Sequence, residues 1–156
     1  MTDFTPTDQD REDFLAGYAE AQLWANTYAD GEIDPESGYP ELVSAADADS
    51  VPAITDIAPD TRADAEADCG AFLKGAAEIL GTDDDGNIRW AYTGDRAAQW
   101  SGAELAGHDF ALTRNGHGAG FWDRGLGEVG ERLSDLARLY GESSWYVGDD
   151  GSVTSL

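Results

Sequence analysis

Lysine is nearly absent from this chain. Lys74 stands alone among 9 basic residues, the rest arginine, against 32 acidic ones, and the formal charge at pH 7 is −23. Such a field repels nucleic acid and anionic membranes, which argues against direct binding to either. It leaves a cationic partner, imitation of a polyanion, or a compositional origin in salt tolerance or GC-rich coding. Cysteine is equally scarce. Cys69 has no second cysteine to pair with, so an internal disulfide and a stapled secreted scaffold are excluded. No apolar run approaches the roughly 18 residues of a membrane helix, and Met1 is followed by an acidic start. The expectation is a protein without a signal peptide or membrane span, at work inside a cell.

What is present points to one folded domain. At 156 residues, with five Trp and six Tyr, the chain is long enough for one core and too aromatic for disorder. Phe14, Tyr18, Ala21, Ala25 and Tyr28 recur at helical spacing, with Leu23 and Trp24 widening the stripe. The spacing predicts a helix over 9–28, led by a capping arrangement of Thr7 and Asp10. Residues 31–60 carry Pro35, Pro40, Pro52 and Pro59 and read as a Pro/Gly-containing segment wrapping the surface. A second helix is expected to open at Thr61, with Asp64 three places on, and to run to Gly81. Its apolar face is Cys69, Phe72, Leu73, Ala76, Ile79 and Leu80, which makes Cys69 a buried small hydrophobe rather than a nucleophile.

Asp83, Asp84, Asp85 and Gly86 invite a calcium-loop reading, but the twelfth loop position would be Tyr92, so the run is an acidic turn. Ile88, Trp90 and Tyr92 alternate briefly after it. A helix is expected over 94–106. Phe110 and Leu112 on one side, with Asp109, Ala111 and Thr113 on the other, predict a strand near 108–113. Val129, Leu133, Leu136, Ala137 and Tyr140 predict an amphipathic helix closed by Gly141. Trp145, Val147 and Val153 around Gly148-Asp149-Asp150-Gly151 predict a C-terminal hairpin near 144–154. The expected class is α+β: about four helices packed with a small antiparallel sheet, in a single acidic domain spanning 1–156.

Chemistry concentrates in residues 108–124. Gly116, Gly118 and Gly120 would have a structural part, allowing positive backbone dihedrals or close approach. Nested amides there, with Arg114 and Arg124 as rigid forked donors, could hold an anion. The same arginines could equally pair with Asp95, Asp109, Asp123 or Glu128. The glycine spacing is not a dinucleotide fingerprint or a phosphate loop, and His117 stands where a nucleophile elbow needs serine. The binding candidates are Arg114, Asn115, His117, Trp122 and Arg124, since Trp and Arg dominate interface energetics. No catalytic residue is assigned. Were the chain an enzyme, His117, Asp123, Arg114 and Arg124 would carry it, His117 as acid or base. No metal or other cofactor is expected, and the candidates for a metal site are His108, Asp109, His117 and Asp123, a donor set suited to zinc, manganese or iron.

The stretch His108-Asp109-Phe110-Ala111-Leu112-Thr113-Arg114-Asn115-Gly116-His117-Gly118-Ala119-Gly120-Phe121-Trp122-Asp123-Arg124 resembles the signature of a family of small, functionally uncharacterised proteins of tailed bacteriophages and prophages. The likeness extends to Asp68-Cys69, Phe72, Tyr140-Gly141-Glu142 and Tyr146 to Gly151. This chain has Ala111 where that family often has Trp. The resemblance implies phage origin and carries over no catalytic role. The leading expectation is a non-enzymatic accessory protein in the host cell cytoplasm. It would bind a host protein with a basic surface, as an acidic nucleic-acid mimic or inhibitor of a nucleic-acid-binding or defence protein. The alternatives are a small metal-dependent or acid–base enzyme acting at 108–124, and a virion or scaffold component.

Overall fold

The computed structural model describes residues 5–29, 57–92, 95–116, 120–143, 145–147 and 153–155. These form helices α1 (Asp8–Ala29), α2 (Pro59–Leu80), α3 (Asp95–Gln99), α4 (Gly102–Arg114) and α5 (Glu128–Arg138). A single 3-10 turn, Phe121–Asp123, sits between α4 and α5. Strands β1 (Trp145–Val147) and β2 (Val153–Ser155) pair antiparallel, with Tyr146 opposite Thr154.

The α+β expectation is overturned. The fold is helical, and the strand foreseen near 108–113 is the second half of α4. Beyond the three-residue β1–β2 ribbon, β pairing at the described residues is confined to isolated bridges, one between Thr82 and Ile88 and one at Ile57. The error has a physical source. Phe110 and Leu112 look like alternation, but Ala103, Ala106, Phe110 and Ala111 are buried at helical spacing. The start of α4 is marked by Ser101, whose hydroxyl accepts from the Glu104 amide at 3.2 Å, the Ser-x-x-Glu pattern of a capped helix. The single helix expected over 94–106 is broken at Trp100 and Ser101 into α3 and α4.

Thr7 caps α1 by accepting from the Asp10 amide at 3.0 Å, and its hydroxyl also reaches Asn87 in the acidic turn. In that turn Asp83 accepts from the amides of Asp85 and Asn87, so it is closed by its own carboxylate. α2 opens with Pro59 at its first position, where a missing N–H does no harm. The expected cap at Thr61 is displaced: Ala58 precedes the helix, and Thr61 is buried with its hydroxyl 3.4 Å from that of Thr154. The 31–56 part of the wrapping segment, the hairpin turn at 148–152, and His117, Gly118 and Ala119 lie outside the described residues.

The core is an aromatic column. Phe72 of α2 stacks on Phe110 of α4 at 4.4 Å and on Phe121 at 5.5 Å; Phe14 of α1 stacks on Phe72 at 5.5 Å. Tyr18 and Trp145 meet edge to face, which fastens the C-terminal ribbon to α1. Offset and edge contacts of this kind suit the ring quadrupole.

Helices α1 and α4 approach closely because each presents a glycine at the contact. A methyl group on Gly17 would run into the backbone carbonyl of Glu104, and one on Gly107 would meet the backbone of Phe14 and Tyr18. This crossing of small residues brings the exposed edges of the two helices together.

Candidate metal centre

The arginines of the 108–124 stretch face inward. Arg114, at the end of α4, has a side chain only 3% exposed. It donates to Asp68 at 2.9 Å, to the Tyr18 hydroxyl at 3.1 Å, and to the carbonyls of Gly141 and Tyr140 at 2.9 and 3.1 Å. Its guanidinium also lies over the rings of Phe110 and Tyr140. Burial raises the pKa of the Tyr18 hydroxyl above its ordinary value, with Arg114 opposing, so Tyr18 is neutral. Arg124 is held by Asp109, which is fully buried and also accepts from the Tyr92 hydroxyl at 2.6 Å. Both guanidinium groups thus have carboxylate partners within the fold: Asp109 for Arg124, as one sequence option had it, and Asp68 for Arg114, which none had.

Asn115 ties the end of α4 to two other segments. It accepts from the Ser143 amide at 2.8 Å and donates to Gln22 of α1, whose own amide group donates to the Ser143 carbonyl. Gly116 takes a positive φ of 71° as the helix ends, the conformation glycine allows without strain. At Gly120 the reason for glycine is close approach: a methyl group would collide with the Thr113 hydroxyl, which accepts from the Phe121 amide at 3.2 Å. Trp122 is 47% exposed, and Asp123 is exposed beside it.

Within the expected metal set, His108 and Asp109 do not converge. They are successive helical residues and point about 100° apart. Asp109 turns into the core toward Arg124, while His108 turns to the α1–α4 edge. There it meets different company. Glu20 of α1 and Glu104 of α4 join His108 so that one donor atom from each lies within 4.8 Å of the others. The His108 Nε2 is 3.5 Å from Glu20 Oε2. Glu104 and His108 are four apart on α4 and so share a face; Glu20 arrives through the glycine-mediated crossing.

The cluster is open to solvent on one side, with the His108 side chain 24% exposed and that of Glu20 60%. Partial burial, and after it the neighbouring Glu20 carboxylate, raise the pKa of Glu104, while the His108 imidazole pulls the other way and Asp13 adds to the rise. Two carboxylates this close repel one another, and a cation between them removes the conflict. One imidazole nitrogen with two carboxylate oxygens suits zinc, manganese, iron(II) or cobalt(II) better than calcium or magnesium, which favour oxygen alone.

A cleft of about 330 Å³ between α1 and α2 has Leu15, Cys69 and Leu73 on its walls. Its arginines, Arg11 and Arg62, pair with Asp8 and Glu66, and burial pushes the Cys69 thiol well above its ordinary pKa. It therefore offers packing space rather than a reactive group. Sequence reasoning missed Glu20 and Glu104. The Glu104-x-x-x-His108 spacing was available as a signal, but it has meaning only on a helix, and this segment was read as helix end followed by strand. No family model, curated protein or solved structure matches the chain. No described helix is long and apolar enough to cross a membrane.

Proposed function

We propose that this protein binds a divalent transition-metal ion at the α1–α4 crossing, through Glu20, Glu104 and His108, as a small metal-dependent enzyme of the water-activating class. The observation that carries the reading is the convergence of one imidazole and two carboxylates from separate helices within 4.8 Å. Three protein ligands on a solvent-facing edge leave at least one coordination position free, which is the form of a catalytic site rather than a closed structural one. An ion held there would supply Lewis acidity to a bound water. The chain's own part is to hold the donors through two rigid helices locked by Gly17 and Gly107.

The test is calorimetric titration of metal-free protein with Zn²⁺, Mn²⁺ and Co²⁺, beside His108→Ala and Glu104→Gln. Circular dichroism establishes that each variant is folded. The expected result is one equivalent bound by the parent and at least a tenfold loss in each variant. Parent binding no tighter than that of His108→Ala overturns the reading.

A second reading keeps the acidic surface as the functional feature. It is favoured by the exposed acidic residues along α2 and in the turn after it: Asp60, Asp64 and Glu78, then Asp83, Asp84 and Asp85. In that reading the protein is a phage accessory factor in the host cell cytoplasm, and these carboxylates meet the basic groove of a host nucleic-acid-binding or defence protein. Regularly spaced phosphates are what such a groove recognises. Reversing Asp60, Asp64 and Glu78 to Lys should abolish capture of that partner from host lysate, and unaltered capture would refute the mimic.

A further inference from the structure

The charge around the α1–α4 edge bears on what can join a bound ion. We infer that the free coordination positions of the loaded site take a neutral nitrogen heterocycle, such as an imidazole, in preference to a carboxylate or phosphate from solution. This rests on the metal reading above and adds the class of external ligand.

Three observations carry it. First, Glu20 and Glu104 together cancel the charge of a divalent ion, and His108 binds metal as a neutral imidazole, so the loaded centre has no net charge to draw an anion. Second, the surroundings are acidic. Asp13 lies two helical turns before Glu20 on the same stripe of α1 and interacts with Glu104. One divalent ion offsets only two of the 23 net negative charges on the chain. Third, sites that hold phosphate or carboxylate substrates bring arginine or lysine to the anion. Here five of the nine basic groups, Arg11, Arg62, Arg114, Arg124 and Arg138, are each engaged by a carboxylate outside the cluster, and Arg89 donates to the Thr82 carbonyl. A neutral donor meets none of this opposition. Its lone pair needs only the ion's vacant orbital, and nitrogen ligands suit the same metals that the Glu20–Glu104–His108 set favours.

The heterocycle could be a free small molecule or a histidine side chain of another protein, and the experiment has an arm for each. Full-length protein is first loaded with Co²⁺, whose visible absorption reports its ligands. It is then titrated at constant ionic strength with imidazole, acetate, phosphate, a basic histidine-containing peptide, and the same peptide with alanine for histidine. Aqueous Co²⁺ titrated in parallel gives the intrinsic preference of the metal. The expected result is a preference for imidazole over acetate at least tenfold greater than that of aqueous Co²⁺, with phosphate disfavoured likewise. Tighter binding of the histidine peptide than of imidazole, lost with alanine, assigns a protein source; equal or weaker binding assigns a small molecule. Asp13→Asn should narrow the gap by strengthening anion binding while leaving imidazole affinity unchanged, which a merely structural role for Asp13 would not produce. A preference no greater than that of aqueous Co²⁺ overturns the inference while leaving the metal site standing. Failure of Co²⁺ to bind at all overturns the site itself, and is seen before any ligand is added.

Discussion

The two ends of α4 treat charge in opposite ways. At its C-terminal end Arg114 is buried against Asp68, Tyr18 and two carbonyls, and near it Asp109 is buried against Arg124 and Tyr92, so each charged group has a partner. At its N-terminal end Glu104 sits beside Glu20 with the His108 imidazole as their neighbour, and partial burial, followed by the Glu20 carboxylate, raises the pKa of Glu104. The first arrangement pairs each charged group with an opposite charge from within the fold. The second is short of one positive charge. The distinctive run from Asp109 to Arg124 is thus internally paired through its two arginines, and the cluster proposed to hold an ion begins at His108 and draws on Glu104 and Glu20.

The largest effect should come from breaking the Arg114–Asp68 pair. Arg114→Met leaves the Asp68 carboxylate and the Tyr18 hydroxyl without their partner. It should cost about 3 kcal/mol in urea unfolding, the low end of the range for breaking a buried pair because Asp68 is 37% exposed. A loss below about 1 kcal/mol would mean the C-terminal end is no more satisfied than the N-terminal one. Next, a saturating ion should stabilise the opposite end: at a hundred times its Kd, Zn²⁺ or Co²⁺ should add about 2.7 kcal/mol to unfolding. That gain should fall to about 1.4 kcal/mol or less in His108→Ala at the same ion concentration and persist in Arg124→Lys.

Gly107→Ala tests the link between the two. The added methyl meets the backbone of Phe14 and Tyr18 and forces α1 from α4, costing about 1–3 kcal/mol. The same separation should weaken metal binding, although Gly107 offers no ligand; undiminished affinity would show that the crossing does not set the donor spacing. The smallest effect concerns Asp10, whose pKa burial raises above 3.8 even though it accepts from the Ile88 amide at 2.8 Å. A carboxylate with a raised folded pKa gives stability at low pH that is lost as pH rises through that value. Asp10→Asn should therefore stabilise the protein at neutral pH by less than about 1 kcal/mol, and the advantage should fade as pH drops toward 3.8.

Much of the helical frame was legible in the sequence. The stripe through Phe14 and Tyr18, the face from Cys69 to Leu80 and the run from Val129 to Ala137 each repeat at the helical period, and each is helix. α4 was missed because its central residues fit two periods at once. Phe110 and Leu112 alternate, while Gly107, just past the expected end of the preceding helix, is an interior residue that admits a neighbouring helix. The Ser101-x-x-Glu104 start was the local signal against the strand. His108 was a candidate ligand from the outset, but one of its expected companions, Asp109, points about 100° away on the same helix, into the core toward Arg124. Glu20 could not have been named from sequence. Nothing in α1 alone tells which of its acidic residues faces α4; that follows from where Gly17 lets the two backbones touch.

The same contact has a consequence for the order of events when the chain folds. Glu20 and Glu104 are separated along the chain by α2 and α3, so an unfolded molecule has no ready-made chelate to offer. Ion capture would then be the final event, following assembly rather than nucleating it as in a zinc finger. Stripping the ion with a chelator should leave a structured apoprotein whose ring packing, read by near-ultraviolet dichroism, is intact.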